Sequence, residues 1–117
     1  MDESRPIFQQ IAEQIENDII SGVLPEETQV PSTNEFAAFH RINPATAGKG
    51  VNLLVDAGIL YKKRGIGMFV AEGARARLVA TRRDQFREQF VAPLLAEASK
   101  LGISSADVAA MIQKDAK

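Results

Sequence analysis

Cysteine is absent from the chain, which removes disulfide frameworks, thiolate zinc sites and cysteine nucleophiles together. Stability must come from packing. Histidine occurs once, as His40, beside an apolar residue at the expected end of a helix and away from any ligand cluster, so a structural or solvated role is expected. The predicted metal and cofactor complement is therefore none. No apolar run approaches the roughly 18 residues that cross a bilayer, and no membrane partner is expected. The opening MDESRPIFQQ is acidic and lacks the basic and then apolar profile of a secretory leader, which predicts a cytoplasmic protein. Internal repeats and low-complexity tracts are missing as well. So are a nucleophile beside a base, a carboxylate pair in an apolar setting and a phosphate loop, and an enzyme is not expected.

What remains is an ordinary globular composition: 117 residues, 45% hydrophobic and 25% charged, with a formal net charge of -1. That length fits one compact unit with an appendage. Ile7, Ile11, Ile15 and Ile19 recur every four residues, joined by Phe8 and Ala12, and predict a helix between Pro6 and Ser21 with Gly22 as its stop. VLPEETQ reads as a connection. Ser32-Thr33-Asn34-Glu35 fits a capping box, in which the serine hydroxyl takes the backbone N–H three residues on and the glutamate returns the bond. Phe36, Ala37 and Phe39 give the short helix that follows. After a turn near His40 and Arg41, Asn43 can cap a third helix with Pro44 at its first position, where a missing N–H costs nothing.

That third helix contains INPATAGKGVNLL. Ala47, Val51, Leu54 and Val55 are expected on one face, with Thr46, Lys49, Gly50 and Leu53 on another and Gly58 at the end. Each mid-helix glycine costs on the order of 1 kcal/mol relative to alanine, so Gly48 and Gly50 call for a packing or access reason. Ile59 to Lys63, a Gly65-Ile66-Gly67 turn and Met68 to Val70 predict a hairpin. Past Gly73, Val79, Phe86, Phe90, Leu94 and Ala98 mark a long helix that Pro93 should bend. Ser104 and Asp107 then cap a terminal helix with Val108, Met111 and Ile112 on its apolar side.

The fold class is therefore mainly α with a small β-hairpin: a winged helix-turn-helix domain over residues 1–72, then a short two-helix segment over 73–117. In such domains the second motif helix enters the DNA major groove by its amino terminus. Pro44 to Lys49 would be that end, with small Ala45, Gly48 and Gly50 permitting close approach. Arg41, Lys49, Lys62, Lys63 and Arg64 all fall in the turn, the third helix or the hairpin. Yet residues 1–72 hold six basic side chains against ten acidic ones. DNA reading would depend on a localised basic face, which limits attachment to arbitrary sequence. The same residues also admit plainer roles. Asn-Pro starts many helices, Ser32 can be only a cap, lysines guard strand edges, and Gly65 can serve only its turn. A winged helix devoted to protein partners, without DNA, is the alternative reading.

RPIFQQIAEQIENDIISGVLP, VPSTNEFA and INPATAGKGVNLLVDAGILYKKRGIGMFV together resemble the amino-terminal domain of the GntR family of bacterial transcriptional regulators, from Arg5 to Val70. The INPxT start, the lysine three residues after the threonine and the short carboxy-terminal part are similar to the YtrA-like subgroup. The resemblance implies a homodimeric repressor that binds double-stranded DNA at a palindromic operator, with the third helix in the major groove and the hairpin tip in the minor groove. It implies DNA contacts at Ser32, Thr46, Lys49 and Gly65; Arg41, Asn43, Ala45, Lys62, Lys63 and Arg64 join them as candidates from the local reading. Two positions depart from the family: Asn34 stands where arginine is usual, and Glu27 where glycine is usual.

The stripe of Val79, Phe86, Phe90 and Leu94 is assigned to dimerisation, because two helices cannot bury it within one chain and a second copy can. Whether a small-molecule effector exists, and whether it would bind between two chains, stays open.

Overall fold

Isoleucines at every fourth position draw α1 (Ile7–Ser21) onto the core, where Ile11, Ile15 and Ile19 are buried. Gly22, at φ 88°, closes the helix by donating its N–H to the Ile19 carbonyl, a left-handed conformation that favours glycine. The computed structural model describes residues 3–116; Met1 and Asp2, which begin the acidic opening stretch, and Lys117 lie outside the described residues.

Helix α2 (Thr33–His40) begins with the complete capping box: the Ser32 hydroxyl accepts from the Glu35 N–H at 3.1 Å, and Glu35 Oε1 accepts from the Ser32 N–H at 3.3 Å. Phe36 and Ala37 face the core, whereas Phe39 is 82% exposed. Arg41 ends the helix at φ 56°. Helix α3 (Pro44–Asp56) follows, capped by Asn43 Oδ1, which accepts from the Ala45 N–H at 2.8 Å.

The structure corrects the assignment of Gly50 to the outer face of α3. Gly50 is buried, because it lies three residues after Ala47 and four before Leu54, within the same stripe. A Cβ there would stand 2.6 Å from the Phe8 carbonyl oxygen and 3.1 Å from the Ile11 side chain. The glycine is what lets α1 and α3 touch backbone to backbone.

Strands β1 (Leu60–Lys63) and β2 (Gly67–Val70) pair antiparallel, with Leu60 opposite Val70 and Lys63 opposite Gly67. VLPEETQ is more than the connection the sequence predicted. Its last residue, Gln29, bridges Phe69, and the surrounding backbone pairs with β2 through Val30 N–H to Met68 O at 2.9 Å and Val70 N–H to Thr28 O at 3.0 Å. So short an edge segment has no alternating pattern to reveal it.

Helix α4 (Ala74–Phe86) leads into one π-helical turn, Arg87–Val91, and then into α5 (Ala92–Lys100). The wide turn sits just before Pro93, whose missing N–H and ring bulk disrupt the ordinary ladder to the preceding turn. Helix α6 (Ser105–Asp115) is capped by the Ser104 hydroxyl, which accepts from the Asp107 N–H at 3.1 Å. The chain divides into two compact units between Val79 and Ala80. In the first, α1, α2, α3, the hairpin and the start of α4 enclose a core that includes Val51, Leu60, Val70 and Leu78. In the second, Ala98 and Val108 are the buried apolar residues.

Candidate nucleic-acid interface

The amino-terminal turn of α3 carries several of the predicted residues together. Asn43 is its cap, Ala45 is exposed, Thr46 is half-buried and Lys49 is exposed one turn on. Thr46 and Lys49 are three residues apart and so are neighbours on the helix surface. With its Oδ1 taken by the Ala45 N–H, the Asn43 amide keeps its N–H donors for an outside acceptor. Ser32 is placed similarly: its oxygen accepts within the capping box, and its hydroxyl hydrogen can still be donated. The helix start also presents the positive end of the α3 dipole. Donors and positive charge dominate this group, which suits an anionic partner.

Arg41 is exposed and held in the left-handed region at the end of α2. On the hairpin, Lys62, Lys63, Arg64 and Gly65 are all exposed. Strand alternation sends Lys62 and Lys63 to opposite faces. Lys63 Nζ stands 4.3 Å from the Phe69 ring centroid and 5.9 Å from that of Tyr61, while Arg64 and Gly65 occupy the turn. Gly65, at φ 77°, has open space where a Cβ would be; backbone conformation, rather than crowding, requires glycine there.

Four residues beyond the predicted set shape this region. Gln29 Nε2 donates to the Ile66 carbonyl at 3.1 Å and so ties the hairpin turn to the edge segment. The Tyr61 hydroxyl donates to Glu27 Oε2 at 2.6 Å, and the Tyr61 ring stacks on Phe69 at a centroid distance of 5.9 Å. The hydrogen bond to Glu27 is the main reason that the Tyr61 pKa is raised above the usual phenol value, with desolvation and the carboxylate charge adding to it. Glu27 itself stands at φ 63°. The family preference for glycine at that position is a sequence signal for this conformation. Phe8 lies under Lys49, with 4.0 Å between Nζ and the ring centroid; nothing in the sequence pairs residues this far apart.

Of the stripe assigned to dimerisation, Phe86, Phe90 and Leu94 are exposed, at 56%, 62% and 44%, and the two phenylalanine rings lie 5.5 Å apart. Val79 is half-buried at the end of the first unit. Among the described residues no group of histidine, aspartate and glutamate could hold a metal ion, and no helix is long and apolar enough to cross a membrane.

Residues 7–70 match the family described as bacterial regulatory proteins, gntR family. The HTH-type transcriptional repressor YtrA of Bacillus subtilis (strain 168) is 31% identical over 86 residues, an alignment that covers 74% of this chain and 66% of YtrA, just under two thirds of that relative's length. A GntR family transcriptional regulator from Listeria monocytogenes superposes with a TM-score of 0.78 at 27% identity, covering 97% of this chain and 98% of that one. The structure of AraR(DBD) in complex with operator ORR3 superposes with a TM-score of 0.53 at 31% identity, covering 55% of this chain and 77% of that one. On the match over residues 7–70, which spans α1 to α3 and the hairpin, the chain belongs to the gntR family of bacterial regulatory proteins.

Proposed function

We propose that the protein is a DNA-binding transcriptional regulator, a cytoplasmic repressor that acts as a homodimer on a palindromic operator. The observation that carries this reading is the capped amino terminus of α3, where Asn43, Thr46 and Lys49 offer amide, hydroxyl and ammonium donors over the first two turns. Its membership of a family of bacterial regulators, and its similarity to YtrA, a repressor, and to AraR(DBD), solved with an operator, support the assignment. In this reading Thr46 and Lys49 contact the major groove, with Ala45 between Asn43 and Thr46 allowing close approach. Ser32, Arg41 and at least one of Lys62, Lys63 and Arg64 contact phosphates, and Gly65 carries the hairpin tip into the minor groove. Residues 1–72 then form the DNA-binding domain. The segment 73–117 pairs two copies through Phe86, Phe90 and Leu94, with Val79 at its edge, and a two-fold operator would mirror the two-fold protein. Catalysis has no part in this reading.

Fluorescence anisotropy of the full chain, titrated onto duplex from upstream of its own gene and onto scrambled duplex at several salt concentrations, tests the assignment. Preference for the upstream duplex with a steep salt dependence is expected. Combined Thr46→Ala and Lys49→Ala should weaken that binding by at least about tenfold. Equal affinity of the double variant and the parent would exclude α3 as the reading helix.

A further inference from the structure

We infer that Phe8 is a positioning residue for DNA binding: its ring holds the Lys49 ammonium in place on the outer edge of α3. The inference rests on the proposed regulator function and adds to it a residue of α1 that makes no DNA contact of its own.

Its basis is the junction of α1 and α3. Phe8 lies in the first turn of α1, three residues before Ile11, and so extends the buried stripe of that helix toward the chain's amino-terminal end. Gly50 brings the backbone of α3 against the Phe8 carbonyl and the Ile11 side chain. Lys49, the neighbour of Gly50, is thereby carried to the rim of the junction, where its Nζ stands 4.0 Å above the Phe8 ring. That distance is well inside the roughly 6 Å over which an aromatic face attracts a cation.

The chemistry of the partner matters. A carboxylate would neutralise the ammonium and occupy its donors, and among the described residues none pairs with Lys49. A ring attracts the cation through its quadrupole and leaves the N–H donors available to a phosphate or a base edge. Lysine is long and loses much rotamer freedom when it binds, so a side chain already confined has less to lose. Lys63 on the hairpin is held in the same manner, over Phe69. The close approach that requires Gly50 is thus linked to the direction of Lys49.

The test is a double-mutant cycle on affinity for the upstream duplex, measured with the full chain. Phe8→Leu should weaken binding by about two- to fivefold, Phe8→Tyr should retain parental affinity, and Phe8→Leu should have no effect in the Lys49→Ala background. Equal weakening in both backgrounds would mean that Phe8 supports only the fold and would overturn the inference. So would parental affinity of Phe8→Leu when Lys49→Ala binds weakly. A measurement without DNA separates this result from the fate of the regulator reading: in the free protein the Lys49 ε-methylene protons should show an upfield ring-current shift that Phe8→Leu removes. Absence of that shift would overturn the inference while leaving the regulator reading intact. A shift present in a protein that ignores every duplex would overturn the regulator reading, and with it the positioning role of Phe8 in DNA binding.

Discussion

The two units of the chain bury their apolar residues to very different extents. The first sets three helices and a hairpin around Ile11, Ile15, Ile19, Val51, Leu60 and Val70, all nearly inaccessible. The second buries Ala98 and Val108 and leaves Phe86, Phe90, Leu101, Met111 and Ile112 at least half exposed. An open groove of about 560 Å³ runs between α5 and α6, lined by Leu94, Leu101, Ile103, Val108, Met111 and Ile112. A closed core specifies its own fold, whereas exposed apolar faces on short helices leave burial to be completed by something else. This contrast supports self-sufficiency for the first unit and pairing for the second.

Core truncation gives the sharpest test of that contrast. Ile15→Ala, in the first unit, should cost about 2–5 kcal/mol in a urea melt. Ile112→Ala, in the second, should cost less than about 0.5 kcal/mol in dilute solution, with a penalty that grows with protein concentration as pairing contributes. Equal, concentration-independent penalties would break the comparison. Phe86→Ser with Phe90→Ser should raise the dimer dissociation constant by at least about tenfold in sedimentation equilibrium, while the first unit keeps its melting behaviour.

The two glycines of α3 test how tightly the first unit is closed. Gly50→Ala should destabilise by about 1–3 kcal/mol, because its Cβ would meet a backbone oxygen that cannot move without shifting α1. Gly48→Ala meets only the Thr33 methyl group, at an ordinary 3.5 Å, and should stabilise by up to about 1 kcal/mol from helix propensity. Thermal melts of the two variants should therefore move in opposite directions. A stable Gly50→Ala protein would show that the α1–α3 junction has slack.

Much of this first unit is legible in the sequence, for identifiable reasons. The isoleucine spacing of α1, the Ser32–Glu35 box and the Asn43-Pro44 start each encode a local rule within a few residues. The Gly65-Ile66-Gly67 turn is legible for the same reason. Gly50 is easily misread because a glycine has no side chain to mark its face, although its spacing from Ala47 and Leu54 assigns it to the buried stripe. The Gln29 bridge, the Glu27–Tyr61 bond and the Phe8–Lys49 contact join residues that lie dozens of positions apart, which periodicity does not reach. At the candidate interface the sequence identifies donor types and their approximate positions. It does not reveal that two lysines rest on aromatic rings.

Glu27 allows the finest test, because it sets backbone strain against a side-chain bond at the edge of the closed unit. A non-glycine residue at positive φ is strained by about 1–2 kcal/mol, and glycine returns about 0.4–1 kcal/mol of that through its freer unfolded chain. In a Tyr61→Phe background, Glu27→Gly should therefore stabilise by about 0.5–1 kcal/mol, and by less in the parent, where the bond to Tyr61 is also lost. The single tyrosine reports that bond directly. Because the folded pKa of Tyr61 is raised, its stabilising contribution is complete below the usual phenol value of about 10. It is lost as pH rises through the folded value, where ionisation would set phenolate against carboxylate. An absorbance titration should find Tyr61 ionising above the usual phenol range in the parent and closer to that range in Glu27→Gln. A parent titration at the ordinary value would show that the carboxylate does not hold the hydroxyl in solution, and that Glu27 keeps its strained backbone for the sake of the edge pairing alone.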